Sequence, residues 1–231
     1  MTPRDPWQIT RDMFLSAGEV QSLLEHLADQ VAVATEAARP AAQLDELIVR
    51  ILLFSGLRNS ECCRLKLADT VIGTKRSVLV VQGTPREDRV VHVPQDLSER
   101  ILDYARETRP HWLPTGPLAR DRSGPLVVNE RGRPYERTGL YRRVVRILNE
   151  AGLGARASVQ LLRHTYGYLA YARTGGNLLF VQRQMGHAHP MVTSIYAQFV
   201  DESYENLANA IAADSDSIAR RTRAPSRRAN P

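Results

Sequence analysis

The chain has 231 residues, of which 43% are hydrophobic and 24% charged, and its formal net charge is +6. These values are ordinary for a globular protein, and the absence of an apolar run of about 18 residues argues against a membrane-spanning helix. The two cysteines, Cys62 and Cys63, are adjacent, so they form neither a spaced zinc-ligand set nor a useful loop-closing disulfide.

Arginine supplies almost all of the positive charge, because Lys66 and Lys75 are the only lysines. An arginine side chain can donate bidentate hydrogen bonds to phosphate oxygens, so this composition favours a nucleic-acid partner. An arginine-rich proteome would give the same bias, and composition alone therefore leaves the partner open. The first ten residues lack the apolar core of a signal peptide, and with the adjacent cysteines this makes a reducing cytoplasm the expected compartment.

The first predicted element is a helix that follows an irregular segment, residues 1–14. Ser16 and Glu19 have the spacing of a capping box, and apolar residues follow at helical spacing over 20–27. A second helical pattern covers residues 44–52. Both patterns predict amphipathic helices that bury one face.

The next segment changes from helical to strand-like spacing. Gly56 is predicted to end the second helix, and Asn59 or Ser60 is expected to cap a third, short helix. Beyond it, the β-branched stretches 77–82 and 89–93 flank the polar sequence GTPRED. This arrangement predicts a β-hairpin with a polar turn.

The remainder of the chain is predicted to be mainly helical. Residues 96–108 return to a helical pattern, and LVVN at 126–129 is a candidate short strand. The later helices are expected at residues 138–151, 160–173, 178–185, 190–198 and 202–213. The basic, proline-containing stretch 214–231 is predicted to be disordered.

The elements together predict the fold class and the domain organisation. The fold is expected to be mainly α with a small antiparallel β-sheet, an α+β arrangement. One domain is expected over residues 15–213, between the irregular segment 1–14 and the basic tail 214–231.

Three short segments in a fixed order carry the candidate chemistry. They read GLRNSE at 56–61, QLLRH at 160–164 and QMGH at 184–187, and Tyr196 lies nine residues after His187. Here the chain resembles the tyrosine recombinase (phage integrase) family, whose boxes read G-L-R-x-x-E, H-x-L-R-H and L-G-H before a nucleophilic tyrosine. Each box alone is weak evidence, whereas the ordered set is specific. The resemblance implies the fold of that family's catalytic domain.

The resemblance also implies how the residues would act. Breaking a DNA strand without a metal ion requires stabilisation of a pentacovalent phosphorus, and Arg58 and Arg163 would clamp its oxygens. A tyrosine hydroxyl has a pKa of about 10, so Tyr196 needs neighbouring positive charge or a base to attack. It would form a 3′-phosphotyrosyl link and release a 5′-hydroxyl. The link conserves bond energy, so no ATP, metal ion or other cofactor is expected.

Other residues are expected to support this chemistry. By resemblance, His187 would hydrogen-bond the phosphate or the nucleophile, Glu61 would orient an arginine or a histidine, and His164 would be a structural partner rather than a catalyst. Taken singly, such residues are more typical of surface or packing positions. Tyr204 is a rival nucleophile by residue type, but it follows two acidic residues whose charge would repel a phosphate.

The second box departs from the family at its first position. The family usually has histidine there, and this chain has Gln160. Glutamine can donate a hydrogen bond to a phosphate oxygen but cannot shuttle a proton near neutral pH. The departure predicts a slower enzyme if that histidine acts as an acid or base, and little change if it only positions the phosphate.

The hairpin turn departs more sharply. The family places there a lysine that protonates the leaving 5′-oxygen, but residues 82–89 contain no lysine. Lys75 precedes the first hairpin strand and Lys66 is expected on the preceding helix. Arg86 occupies the turn and stays protonated, so it can stabilise the leaving oxygen but donates a proton poorly. Arg86, or Lys75 after a local rearrangement, is the candidate substitute; otherwise the enzyme is weakened or depends on a partner.

The expected partner is double-stranded DNA. The first helix begins near residue 16, which leaves no room for the separate N-terminal DNA-clamping domain of many family members, so the chain is either a compact recombinase or a trimmed one. By resemblance, we expect a tetramer on paired DNA sites, a location on the bacterial nucleoid when DNA is bound, and an accessory or partner recombinase as an option. The helix over 202–213 would pack into a neighbouring protomer, or equally well within its own chain.

Three functions remain open at this point. The leading one is site-specific recombination, in which strands are cleaved, exchanged and rejoined. The second is a catalytically weakened DNA-binding protein that acts as a regulator or as a partner subunit, which the altered Gln160 and the hairpin turn favour. The third is a relative of type IB topoisomerases, which use related chemistry without pairing two sites.

Overall fold

A computed structural model describes residues 9–73, 76–83, 88–113, 122–188 and 191–200 as a mainly helical fold with one small antiparallel sheet. The helices in these ranges are α1 Ala17–Val33, α2 Arg39–Ser55, α3 Asn59–Arg64, α4 Gln95–Asp103, α5 Arg137–Glu150, α6 Val159–Arg173, α7 Leu178–Met185 and α8 Met191–Ser194. The strands are β1 Thr70–Ile72, β2 Ser77–Val81 and β3 Arg89–His92. The fold class predicted from the sequence is confirmed.

Helix α1 begins as the sequence predicts. The Ser16 hydroxyl accepts a hydrogen bond from the Glu19 amide at 3.2 Å, and the Glu19 carboxylate accepts one from the Ser16 amide at 2.7 Å. Two otherwise unpaired amides at the helix start are thereby satisfied. Before helix α1, residues 9–14 include a single 3-10 turn, Arg11–Met13. Residues 1–8 lie outside the described part of the chain.

Helix α2 is the centre of the hydrophobic core. It packs against α1, α4, α5 and α6, and most of its residues from Leu44 onward are buried. Gly56 ends the helix with a φ of 62°, and a Cβ atom there would lie 2.4 Å from the Tyr166 ring. Both the left-handed backbone and the close approach of the ring require glycine at this position.

The cap predicted for α3 is wrong. Neither Asn59 nor Ser60 caps the helix; instead the Glu61 carboxylate accepts a hydrogen bond of 2.7 Å from the amide of Arg58, the residue before the helix. The Asn59 side chain donates to the Arg137 carbonyl on α5. Lys66 lies beyond the end of α3 rather than on it, because the helix stops at Arg64.

The predicted hairpin is confirmed, and a third strand extends it. Strands β2 and β3 pair antiparallel, with Val78 opposite His92. Strand β1, which the sequence analysis did not predict, pairs with the other edge of β2, so the order is β1-β2-β3. Lys75 and Arg86 lie outside the described residues, and so do residues 84–87 of the hairpin turn.

The strand predicted over 126–129 is wrong. Leu126, Val127 and Val128 are buried, but the bridge pairing seen within 126–129 is the isolated one of Val128 with Pro134. The Leu126 amide donates to the carbonyl of Leu65, and the Val128 amide donates to the hydroxyl of Tyr104. An apolar run can bury itself in the core as an irregular segment when side chains and loops satisfy its backbone.

The C-terminal helices complete the framework of the site. Helix α6 packs on α2, and α7 packs on both α6 and β3. The helix predicted over 190–198 is shorter in the structure, since α8 ends at Ser194 and a 3-10 turn follows. The predicted helix over 202–213 and the tail 214–231 lie outside the described residues.

The chain divides into two units, one that ends at Ala197 and one that begins at Gln198. All contacts discussed below lie in the first unit. Within the described ranges, the helices are too short or too polar for any of them to traverse a lipid bilayer.

Candidate active site

Three arginines from three different elements hold the carboxyl end of α7. A helix leaves its last carbonyl groups without intrahelical partners, so cationic donors are stabilising there. The pairs are Arg89 Nε to the Gln184 carbonyl at 3.1 Å, Arg163 Nη2 to the Met185 carbonyl at 2.8 Å, and Arg58 Nη2 to the Gly186 carbonyl at 2.9 Å. The two arginines of the sequence motifs therefore meet at this helix end.

Gly186 turns the chain sharply at this point. Its φ is 64°, and a Cβ atom there would lie 2.9 Å from the Arg89 guanidinium. Glycine is the residue that tolerates both conditions, which explains the glycine before His187. The His187 amide then donates to the Gln182 carbonyl at 3.1 Å, which fixes where the histidine leaves the helix.

Glu61 joins the arginines into one network. Arg58 Nη1 and Arg89 Nη1 both donate to its Oε1 at 2.8 Å, and Arg89 Nη2 donates to its Oε2 at 2.8 Å. Burial alone would raise the pKa of the carboxyl, but the hydrogen bonds from Arg89 and Arg58 outweigh it and lower the pKa to about 2. The carboxylate is thus charged at neutral pH and orients both arginines.

Arg163 lies beneath the site and is buried. Its guanidinium donates to the Gly56 carbonyl as well as to that of Met185, so it ties the start of the first motif to the end of α7. Burial, and then the positive charge of Arg58, lower its pKa to about 10. Arg163 therefore remains positively charged at neutral pH.

An open cleft of about 1000 Å³ lies over this network. Arg58, Arg64, Arg89, Arg183 and His187 line it. Two acidic residues also line it, but one of them, Glu61, is already paired with arginines. The balance of charge in the cleft suits an anionic ligand such as a phosphate.

His187 lines the cleft through an oriented ring. Its Nδ1 lies 2.9 Å from the hydroxyl of Thr193, which is buried. Burial, and then the charges of Arg163 and Arg58, lower the pKa of His187 to about 3, so the ring is neutral at neutral pH. The Thr193 contact leaves the other ring nitrogen, Nε2, for a ligand.

Tyr196 does not line the cleft. Its side chain is 1% exposed and its hydroxyl lies 3.1 Å from Nδ1 of His164. A Cβ atom at Gly167 would lie 2.3 Å from the tyrosine ring, so that glycine makes room for it on α6. Burial raises the pKa of Tyr196 to about 12, against a smaller lowering by Arg163, while burial and Arg163 lower the pKa of His164 to about 4.

The predicted site residues thus fall into two groups. Arg58, Glu61, Arg163 and His187 converge at the end of α7, whereas Tyr196, after α8, pairs with His164 on α6. Gln160 is exposed and lines a different cavity of about 320 Å³, together with His164 and Arg156. Lys75 and Arg86, and the rival Tyr204, lie outside the described residues.

Sequence reasoning missed three residues of this region. Arg89 and Thr193 belong to no local motif. Arg89 contacts Glu61, 28 residues away, and Thr193 contacts His187, 6 residues away, so only the fold shows these contacts. Gly167 was also missed, although a glycine inside a helical pattern is a signal of close packing.

Comparison with known proteins identifies the family and the fold. Residues 13–203 match the sequence model of the phage integrase family. The chain is 29% identical over 158 residues to the tyrosine recombinase XerC of Lactobacillus delbrueckii subsp. bulgaricus, which covers 68% of this chain and 51% of the relative. It is 27% identical over 166 residues to the tyrosine recombinase XerH of Helicobacter pylori, which covers 71% of this chain and 44% of the relative.

Solved structures share the fold. The crystal structure of the XerH site-specific recombinase bound to a palindromic difH substrate, a post-cleavage complex, superposes with a TM-score of 0.67. The likeness covers 84% of this chain and 52% of that one, at 24% identity. The chain spans about half the length of the relatives it matches. Because the family match covers most of its residues, the chain belongs to the phage integrase family.

Proposed function

We propose that the protein is a site-specific DNA recombinase that cleaves and rejoins strands through a 3′-phosphotyrosyl intermediate on Tyr196. The observation that carries this proposal is the joint anchoring of Arg58 and Arg163 at the carboxyl end of α7, beside His187 in an arginine-lined cleft. The relatives named tyrosine recombinases and the XerH complex with a difH substrate support the same reading.

The cleft supplies the phosphate-binding step. The Arg58 side chain is 38% exposed, so donors not used by Glu61 and Gly186 remain available to a phosphate. Arg163 adds positive charge from below, where low solvent access strengthens its effect. His187, neutral and held by Thr193, would donate from Nε2 to a non-bridging oxygen.

Tyr196 would attack the phosphorus bound in this cleft. The phenol oxygen forms a bond to phosphorus as the bond to the 5′-oxygen breaks, and rejoining is the reverse. Because the hydroxyl is buried and absent from the lining of the cleft, the tyrosine and the phosphate must approach each other when DNA binds. The chemistry calls for no metal ion, so cleavage is expected to proceed in EDTA.

A covalent-trapping assay tests the proposal. The DNA site is first selected from a random duplex library by binding, and a nicked suicide substrate is then built on it. Wild type is expected to form an SDS-resistant adduct in EDTA, whereas Tyr196→Phe forms none. Tyr141→Phe, a change at an exposed tyrosine on α5, is the matched control and is expected to behave as wild type. An adduct with Tyr196→Phe would overturn the assignment of the nucleophile.

A second candidate is a DNA-binding protein that does not cleave. The placement of Gln160 in a cavity apart from the cleft favours it, since this residue replaces the family's histidine and cannot move a proton. Salt-sensitive binding to the selected site without any adduct would support this function instead. Relaxation of a supercoiled plasmid that lacks the site would indicate a topoisomerase-like activity.

Assembly belongs to the same proposal. We infer that the protein acts on double-stranded DNA of the bacterial nucleoid and that recombination assembles a tetramer on two paired sites, with or without a partner recombinase. The crystal structure of XerH bound to its difH substrate supports the DNA partner. Sedimentation of the protein with the selected duplex tests the assembly, because a tetramer holding two duplexes differs in mass from a protein bound to one.

A further inference from the structure

A histidine lies beside the Tyr196 hydroxyl. Nδ1 of His164 lies 3.1 Å from the hydroxyl oxygen, within the range in which a base can take a proton. His164 lies one helical turn after Gln160 on α6, so the two side chains share a face of the helix. Both line the cavity of about 320 Å³ described above.

The chemistry needs such a neighbour. A phenol attacks phosphorus well only as its proton leaves, and burial makes the loss of that proton harder for Tyr196. Gln160 cannot accept the proton, because an amide does not protonate near neutral pH. The arginines of the cleft stay protonated and cannot accept it either.

We propose that His164 is the general base that accepts the Tyr196 proton during strand cleavage. The ring carries its hydrogen on Nε2, and Nδ1 takes the proton as the tyrosine oxygen bonds to phosphorus. The bond from phosphorus to the 5′-oxygen breaks, the 5′-oxygen takes a proton from water, and the imidazolium returns its proton to solvent. In rejoining, the imidazolium form returns a proton to the tyrosine as it leaves. This inference rests on the proposed recombinase function.

The surroundings of His164 keep the ring in the form that a base requires. Its charged and titratable neighbours are Arg163, His187 and Tyr196, and Asp12 and Arg156 line the cavity with it. Burial, and then Arg163, lower the pKa of His164 to about 4, so the ring is unprotonated at neutral pH. His164 and the exposed Gln160 line the same cavity, and the proton can reach solvent through it.

The test uses a substrate with sulfur in place of the bridging 5′-oxygen. A thiolate leaves without an acid, so the rate of adduct formation then reports removal of the tyrosine proton. His164→Asn keeps a hydrogen-bonding atom near Nδ1 but cannot take a proton. We expect it to slow adduct formation roughly 10²–10⁴-fold, the contribution typical of a general base. His111→Asn, at an exposed histidine, is the control and is expected to keep the wild-type rate.

The pH profile separates a base from a structural role. Wild type is expected to keep a nearly constant rate from about pH 6 to about pH 8, whereas His164→Asn gains about tenfold per pH unit as hydroxide replaces the base. A wild-type rate and profile in His164→Asn would overturn the proposal. Faster adduct formation would also overturn it, because His164 would then be restraining the tyrosine.

A DNA-free measurement keeps this inference separate from the proposed function. Nitrogen-15 NMR of the His164 ring is expected to show the hydrogen on Nε2 and none on Nδ1. A hydrogen on Nδ1 would overturn the base assignment whatever the kinetics show. Because this measurement uses the wild-type protein, misfolding of the His164→Asn variant cannot affect it. Absence of any adduct with wild type would overturn the recombinase function and, with it, this inference.

Discussion

Arg89 donates two hydrogen bonds of 2.8 Å, one to each carboxylate oxygen of Glu61. The pair joins the start of β3 to α3, and Arg89 also reaches the Gln184 carbonyl at the end of α7. Because Glu61 in turn binds Arg58, the pair holds in place, through a buried carboxylate, the arginine that we propose to clamp the phosphate. The hairpin therefore contributes to the site through the first residue of β3.

Replacing this arginine tests the pair. Arg89→Lys keeps the charge but loses the two-pronged geometry, so we expect the free energy of unfolding to fall by roughly 1.5–3 kcal/mol, the worth of a hydrogen bond to a charged group. Urea denaturation measures the change. The control is Arg142→Lys on the exposed surface of α5, which is expected to stay within about 0.5 kcal/mol of wild type. Equal effects of the two changes would contradict a specific role for Arg89.

Thr193 is expected to position His187. Thr193→Val keeps the size of the side chain but removes the hydroxyl that lies 2.9 Å from Nδ1. We expect covalent-adduct formation to slow about tenfold, the effect of losing about 1.4 kcal/mol of hydrogen bonding, with DNA affinity unchanged. Thr193→Ser should restore the rate. Thr108→Val removes another buried hydroxyl, bonded to Gln43, and a similar loss there would point to general destabilisation.

Gly167 is expected to be required by the tyrosine ring. The added methyl of Gly167→Ala would lie 2.3 Å from Tyr196, so the ring or α6 must shift. We expect a loss of roughly 1–3 kcal/mol in stability from overpacking and a higher accessibility of Tyr196 to iodination. Gly18→Ala meets no atom within 4 Å on α1 and is expected to be neutral or stabilising. Unchanged labelling of Tyr196 would count against this packing.

The buried histidines are expected to make the fold sensitive to acid. Burial, helped by Arg163, lowers the pKa of His164 to about 4 and of His187 to about 3, from an ordinary value of 6.5. Between about pH 6.5 and about pH 3 the unfolded chain binds more protons than the folded one, so the contribution of the two histidines to stability is full above that window and is lost as pH falls through it.

Urea denaturation at about pH 7 and about pH 5 measures this effect. The free energy of unfolding of wild type is expected to be lower at the acidic pH, and the double variant His164→Asn, His187→Asn is expected to show a smaller difference. His111→Asn, at an exposed position, should keep the wild-type difference. A double variant with an unchanged difference would place the acid sensitivity elsewhere.

Local signals in the sequence determined much of the framework. The capping box of α1, the glycine that ends α2, the hairpin strands and the bounds of α7 all follow from residues within a few positions of each other. Such features depend on the backbone preferences of individual residues and on contacts between residues close in sequence, so they can be predicted from the sequence itself. The ordered motifs also named Arg58, Arg163, His187 and Tyr196 as candidates, and the family that they indicated is confirmed.

Only the tertiary structure decided how these residues are arranged. Arg89 meets Glu61, and the three arginines meet the end of α7, through contacts across 22 to 128 residues of chain. The pairing of Tyr196 with His164, and the placement of Gln160 outside the cleft, depend on how the shared face of His164 and Gln160 on α6 packs in the folded chain. Burial, and with it every pKa discussed here, is a property of the assembled core, since no local pattern states which neighbours will exclude water.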